Sequence, residues 1–244
     1  MKTGLKIICF LFLLFFPSKV YSDSSWWDYF DYAGVTWNIE EFKTRADGHN
    51  SISNFTPGFY SATLNDGVDV HTDTSFDIFL GKKFDRTKGE INYSKNNFKD
   101  LRTDYARLYT FPKIHHLHTD FAIHELNFNG FYDLFQSKRL NFSIGGGPGI
   151  AMVKMTGESL RNSDGYSAVK INDNHNDTIF TYNVSLGLGY RFRSDALLDI
   201  RVGHKEFMNE IRQQTSKISD GTANGYVTSD LSSNFIKFRI VKEF

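Results

Sequence analysis

The chain is poor in cysteine and proline: one Cys and four Pro in 244 residues. The single thiol, Cys9, lies in an apolar N-terminal stretch, with Ile8 before it where a lipoprotein cleavage site would differ. If that stretch is removed the chain has no cysteine, which excludes disulfides, thiol catalysis and thiolate metal sites together. Long hydrophobic runs are also missing. The longest, Ile7–Phe16, is ten residues, against the ~20 that a spanning helix needs. Charge of one sign is not in excess either: 28 basic residues face 28 acidic ones, so there is no basic footprint for nucleic acid.

What the N-terminus does have is a secretory pattern. Lys2 and Lys6 precede the apolar Ile7–Phe16, and Val20-Tyr21-Ser22 offers compact residues before Asp23. Residues 1–22 therefore read as a signal peptide cleaved between Ser22 and Asp23. Its removal leaves 25 basic against 28 acidic residues, a net charge of −3. Any membrane residence of the remainder must use strands, and strands survive in lipid only as a closed barrel.

The strands are visible as alternation. Phe180, Tyr182, Val184, Leu186, Leu188, Tyr190 and Phe192 are apolar, while Thr181, Asn183, Ser185, Gly187, Gly189 and Arg191 are polar or small. A strand places successive side chains on opposite faces, so one face of this run is oily and the other polar. Thirteen such residues exceed the usual ~5–6-residue strand and suit an oblique crossing of a bilayer. Similar runs follow Phe76, Ile91, Leu126, Phe142 and Leu198, and the chain ends on Ile236, Phe238, Ile240 and Phe244. A first strand over Gly58–Val70, with Tyr60, Ala62 and Leu64 outward, completes eight.

Short links at Arg86–Lys88, Gln136–Arg139 and Ser194–Ala196 alternate with long ones at Phe98–Asp120, Thr156–Asp177 and Arg212–Ser233. That alternation matches short periplasmic turns and longer extracellular loops, and disfavours a soluble sandwich. The expected fold is all-β: an eight-stranded antiparallel up-and-down transmembrane β-barrel over residues 57–244.

An interior of this size is just wide enough for side chains to fill it. The inward set includes Glu125, Asp133, Arg191, Asp199, Arg201, Lys237 and Arg239, with Asp77, Glu90 and Lys83. Each such ion costs several kcal/mol to bury unpaired, so these residues are expected to form an ion-pair network filling the lumen. The Gly145-Gly146-Gly147 run is expected to let its strand coil.

Residues 23–56 are aromatic-rich and read two ways. Trp26, Phe30, Ala33 and Trp37 share one helical face, which suits an interfacial segment; Val35, Trp37 and Ile39 alternate as a strand. The interfacial reading is preferred, which makes 23–56 a separate N-terminal segment.

The runs Leu126–Asp133, Ser143–Ile150 and Tyr182–Tyr190, with the terminal strand, resemble the small outer-membrane barrels of the OmpA, OmpX and opacity type. They are most similar to surface barrels and adhesins of the Rickettsiales. The resemblance implies outer-membrane lipid as surroundings and insertion by the barrel assembly machinery through the terminal Phe238, Ile240 and Phe244. It also implies a host surface protein as partner for some relatives. Lys242 departs from the usual apolar residue of that terminal signal, though a lysine there can snorkel.

Chemistry has few candidates. His115, His116 and His118, with His124 further on, are dense enough for a metal, but no carboxylate sits at a characteristic spacing. His71, Asp73 and Ser75 are spaced so that a lipid-modifying triad is conceivable, yet these residue types are ordinary in loops. Asp173–Asp177 lacks the glycine and distal glutamate of a calcium loop. No catalytic residue, metal or cofactor is expected. The reading is a non-enzymatic outer-membrane surface barrel whose loops bind a partner or which serves the envelope structurally. A small porin-type channel and a lipid A-modifying barrel enzyme are the alternatives.

Overall fold

The computed structural model describes residues 29–49, 69–107, 113–159, 169–171, 176–217 and 223–244. Ten stretches are extended: β1 (Tyr32–His49), β2 (Asp69–Phe84), β3 (Thr87–Arg107), β4 (Lys113–Gln136), β5 (Leu140–Ser159), β6 (Val169–Ile171), β7 (Asn176–Arg193), β8 (Ala196–Phe207), β9 (Ile211–Lys217) and β10 (Ala223–Glu243). Eight of them, all but the short β6 and β9, close a single antiparallel barrel. The ladder runs β1-β2-β3-β4-β5-β7-β8-β10 and returns to β1. Beyond the open end of the β7–β8 hairpin, away from its turn, β6 and β9 take over between β5 and β10.

The strand that closes the barrel is not the one expected. Tyr32–His49 pairs with β10 from Tyr32↔Glu243 to His49↔Tyr226, and with β2 from Tyr32↔Gly81 to Thr44↔Asp69. The division between an N-terminal segment 23–56 and a barrel from 57 is therefore corrected. Thr36, Asn38 and Glu40 are buried on its inner face while Trp37 is exposed on the outer one, a period of two that a helix cannot produce. Backbone groups in lipid must all be paired, and β1 supplies the partners that β2 and β10 would otherwise lack. Of the expected first strand, 58–68 lies outside the described residues and Val70 belongs to β2.

The start of β1, the C-terminal Phe244 and the turns after β2, β4 and β7 lie at one end of the barrel, the periplasmic end by the rule of short turns. Towards the other end the strands outrun the bilayer. β3 has 21 residues and β4 has 24, about twice the ~9–11 a tilted spanning strand needs. The expected loop Phe98–Asp120 is mostly a continuation of this hairpin, paired out to Arg107↔Lys113. His115, His116 and His118 are thus strand residues of β4.

Around the middle of the barrel the outward side chains are apolar and exposed: Ile78, Phe128, Ile144, Leu186, Leu188, Ile200 and Phe238 among them, with Leu188 54% accessible. A continuous belt of this kind has no place in water, and it surrounds a polar interior. The chain is a membrane-spanning barrel of outer-membrane type.

The alternation changes meaning at the upper edge of the belt. On β4, Leu126 and Phe128 face out while Glu125 and Asn127 are buried. Two residues further up, His124 occupies the outward row and Ile123 and Phe121 are buried. The same exchange occurs on β5, where Met152 gives way to Lys154 outside, and Val153 and Met155 are buried. Above the lipid the wall meets water, so the apolar set moves inside. Phe42, Phe121, Ile123, Val153, Met155, Ile179, Phe207, Ile211 and Leu231 form the resulting apolar cluster. Four other buried residues, Tyr32, Phe79, Leu197 and Val241, cluster near the periplasmic end.

Candidate functional site: the filled lumen

Between these two apolar clusters lies the charged interior. Its uppermost layer is centred on Lys205, whose Nζ contacts Glu40 Oε1 at 2.6 Å and Glu125 Oε2 at 2.9 Å. Ser233 donates to Glu40 at 2.5 Å, Asn96 donates to its other oxygen at 3.2 Å, and Thr181 donates to Glu125 at 2.8 Å. Below it Lys237 meets Asp77 at 3.2 Å. Next comes a four-residue cluster: Arg239 bonds both oxygens of Glu90 at 2.8 Å and Asp199 at 2.9 Å, and Arg201 bonds the same Asp199 oxygen at 2.7 Å. At the periplasmic end Lys88 reaches Asp133 at 2.8 Å, while Arg191 and Lys83 share Glu243 at 2.7 and 2.6 Å.

Of the seven lumen residues singled out in the sequence, only Asp199, Arg201 and Arg239 touch one another. Lys237 and Glu125 pair with Asp77 and Lys205, and Asp133 and Arg191 pair with Lys88 and Glu243. Lys205 and Glu40, the centre of the upper layer, escaped the sequence reading. Glu40 sits on the strand taken for an interfacial segment. Lys205 lies beyond the last outward apolar residue of β8, Val202, after which the outward row is polar.

The cations have a second support that only register discloses. Four inward aromatics lie directly across a glycine of the adjacent strand: Tyr32↔Gly81, Phe79↔Gly34, Phe131↔Gly145 and Phe235↔Gly203. A Cβ at any of these glycines would collide with the ring opposite. Three of the rings carry a cation close to their face: Arg239 lies 3.9 Å from the Phe79 centroid, Arg201 3.6 Å from Phe131 and Lys237 4.8 Å from Phe235. Desolvated contacts of this kind are worth up to ~2 kcal/mol each. The space left by Gly145 is thus taken by Phe131. Phe79, which interrupts the sequence alternation of β2, is the inward partner of Gly34.

A cavity of about 70 Å³ remains at the periplasmic end, lined among others by Lys83, Arg139, Arg191, Arg201 and Glu243. A space of that size has room for a few waters, and it is bounded above by the Arg239–Glu90 cluster.

The other sequence candidates fall elsewhere. Asp73 and Ser75 are on β2, not in a loop. Ser75 is buried and donates to Asp77 at 3.5 Å; the side chain of His71 lies outside the described residues, as do those of His115, His116 and His118. Residues 173–175 of the hydrophilic stretch are outside them too. No group of three or more His, Cys, Asp or Glu able to hold a metal occurs among the described residues. Lys242 snorkels to the turn between β7 and β8, where its ammonium pairs with Asp195 and holds that carboxyl below its ordinary range. In the terminal strand Phe238 and Phe244 are exposed and Ile240 is half-buried. Ser22 and Asp23 precede the described residues.

No protein-family model matches the sequence, and no characterised protein is detectably similar to it in sequence. Solved structures do resemble it. The outer membrane protease OmpT from Escherichia coli superposes with a TM-score of 0.50 at 9% identity, over 93% of this chain and 100% of that one. Neisserial surface protein A gives 0.45 at 14% identity, over 87% and 97%. The attachment invasion locus protein of Yersinia pestis gives 0.43 at 7%, over 88% and 99%. At these identities the likeness is one of fold: an outer-membrane barrel. The rickettsial part of the resemblance rests on the strand sequences alone.

Proposed function

We propose that this chain is a non-enzymatic surface barrel of the outer membrane, and that its extended extracellular strands and connections bind a partner outside the cell. The observation that carries this is the filled lumen. Charged layers cross it from Glu243 to Lys205, and the apolar cluster of Phe42, Phe121 and Phe207 caps them. Ions in transit would have to break pairs that cost several kcal/mol each to separate in a dry interior. What the fold offers a partner is instead the part of β3, β4 and β10 that stands clear of the bilayer, on a rigid mount.

A host surface protein is the partner class that the resemblance to adhesins favours. Insertion by the assembly machinery through Phe238, Ile240 and Phe244, after cleavage between Ser22 and Asp23, completes the reading; N-terminal sequencing of the membrane-inserted protein tests the cleavage.

Replacing residues 103–118 with a short Gly/Ser turn tests the binding role. The barrel should remain folded and the cell or host-protein adhesion conferred by expression should be lost, because strand tips tolerate change that the closed ladder does not. Unchanged adhesion would remove this hairpin from the role. Expression should also leave the mass of lipid A unchanged; an acylation shift abolished by Ser75→Ala would make the chain an enzyme. In planar bilayers the protein should give no steady conductance. Reproducible currents altered by Arg201→Glu would make it a channel.

A further inference from the structure

The first outward side chain above the apolar belt can be read off each stave in turn. Around the barrel from β1 these are Glu41, Thr74, Lys95, His124, Lys154, Thr178, His204 and Asn234. The three basic residues of β3, β4 and β5 are consecutive. Lys95 stands directly opposite His124, and Lys154 is opposite Ala122, one outward step above His124. Facing residues such as Lys95 and His124 have Cα atoms ~4.5–5.5 Å apart and diagonal ones such as His124 and Lys154 ~7–8 Å, so the three side chains lie on one patch.

On the opposite side the charges are already matched. Lys43 lies 3.9 Å from Glu41, and His204 bonds both Glu206 and Asn234 at 2.7 and 2.8 Å. Lys95 and Lys154, by contrast, have no ion-pair partner among the described residues, and both are exposed. His124 is held by Tyr93, whose hydroxyl lies 2.8 Å from Nδ1. Beneath the patch are Tyr93, Leu126, Met152 and Phe180, the top row of the belt. The depth is therefore that of the outer-leaflet headgroups, at the line where the wall turns from apolar to polar on its outer face.

We propose that Lys95, His124 and Lys154 form a docking site for a phosphate on the headgroup of an outer-leaflet lipid. Two ammonium groups without an ion-pair partner among the described residues flank an imidazole whose orientation is set by Tyr93. The acyl chains of the same lipid would lie against Leu126, Phe128, Ile150 and Met152 below. The site rests on the outer-membrane reading and assigns one side of the barrel, β3 to β5, to a bound lipid.

The test uses the full-length barrel in vesicles and in micelles. Protease protection in vesicles is read first, and a barrel that does not insert overturns the membrane reading and the site with it. Native mass spectrometry then compares bis-phosphorylated lipid A with the same lipid stripped of phosphate. The inserted barrel should retain the phosphorylated form at least tenfold better. Lys95→Gln with Lys154→Gln should erase that preference, and Lys43→Gln, on the opposite side, should leave it intact. Equal retention of the two lipids, or an unchanged double variant, overturns the site. Complete displacement by millimolar inorganic phosphate would also overturn it, by making the ligand a free anion.

Discussion

Lys205→Met isolates the energetics of the upper lumen layer. Lys205 is 4% accessible and is the shared cation of Glu40 and Glu125, each 1% accessible. The Phe42 and Phe207 rings lie within 6 Å of its ammonium, at 5.9 and 5.6 Å, so water has little access from above. Methionine keeps most of the volume and removes the charge, leaving two carboxylates facing each other in a dry interior. Removing one partner of a buried pair costs ~3–5 kcal/mol, here with both acids stranded, so the loss should lie at the upper end. At ~1.4 kcal/mol per tenfold, the folding equilibrium should fall by roughly three to four orders of magnitude. The assay is urea unfolding of the barrel in vesicles, followed by tryptophan fluorescence. Adding Glu40→Gln and Glu125→Gln to Lys205→Met should restore all but ~1–2 kcal/mol, because a neutral layer has no charge to strand. A loss under 1 kcal/mol for Lys205→Met alone would refute the claim that this layer is a dry, paired network.

Other expectations follow from the same architecture. Leu186→Arg, at the middle of the lipid face, should cost ~2–4 kcal/mol in the same unfolding assay, whereas Thr178→Arg, above the belt, should cost less than ~1. Gly145→Val should prevent insertion into vesicles because its Cβ would meet Phe131 and the Gly130 carbonyl, and Phe131→Ala should restore part of the yield. Asp195 is bound by Lys242 in the periplasmic turn with its pKa lowered. Its contribution is present above the unfolded-state value of ~3.9 and is lost as pH falls through the lower folded value. Asp195→Asn should therefore flatten the acid side of the stability profile below about pH 4; an unchanged profile would count against the pairing.

The barrel itself was legible because its signal is local and repeated. A period of two over Phe180–Phe192 reports which face meets lipid without reference to any other strand, and alternating short and long links report antiparallel hairpins. The parity rule carried less well where the solvent outside the wall changes. Ile123-His124-Glu125-Leu126 keeps its alternation but exchanges the meaning of its faces at the edge of the bilayer. Read only as a lipid pattern, it hid the apolar cap and placed the end of β8 too early to include Lys205. The switch is present in the sequence: the outward row passes from Leu126 to His124 on β4 and from Met152 to Lys154 on β5, while the inward row passes from Asn127 to Ile123 and from Gly149 to Val153.

What closed the barrel, and which charges met, only the tertiary structure decided. Tyr32–His49 has both a helical and a strand reading in isolation. The strand wins because β2 and β10 each present an edge whose peptide groups would otherwise be unpaired in lipid. Pairing in the lumen depends on register between strands far apart in the chain. Arg239 reaches Glu90 across 149 residues and Ser233 reaches Glu40 across 193. The one-dimensional sequence determined that Glu90, Asp199, Arg201 and Arg239 point inward; that Glu40 does, which carboxylate each cation reaches, and which glycine leaves room for the ring beneath it, followed from the stagger of a closed sheet.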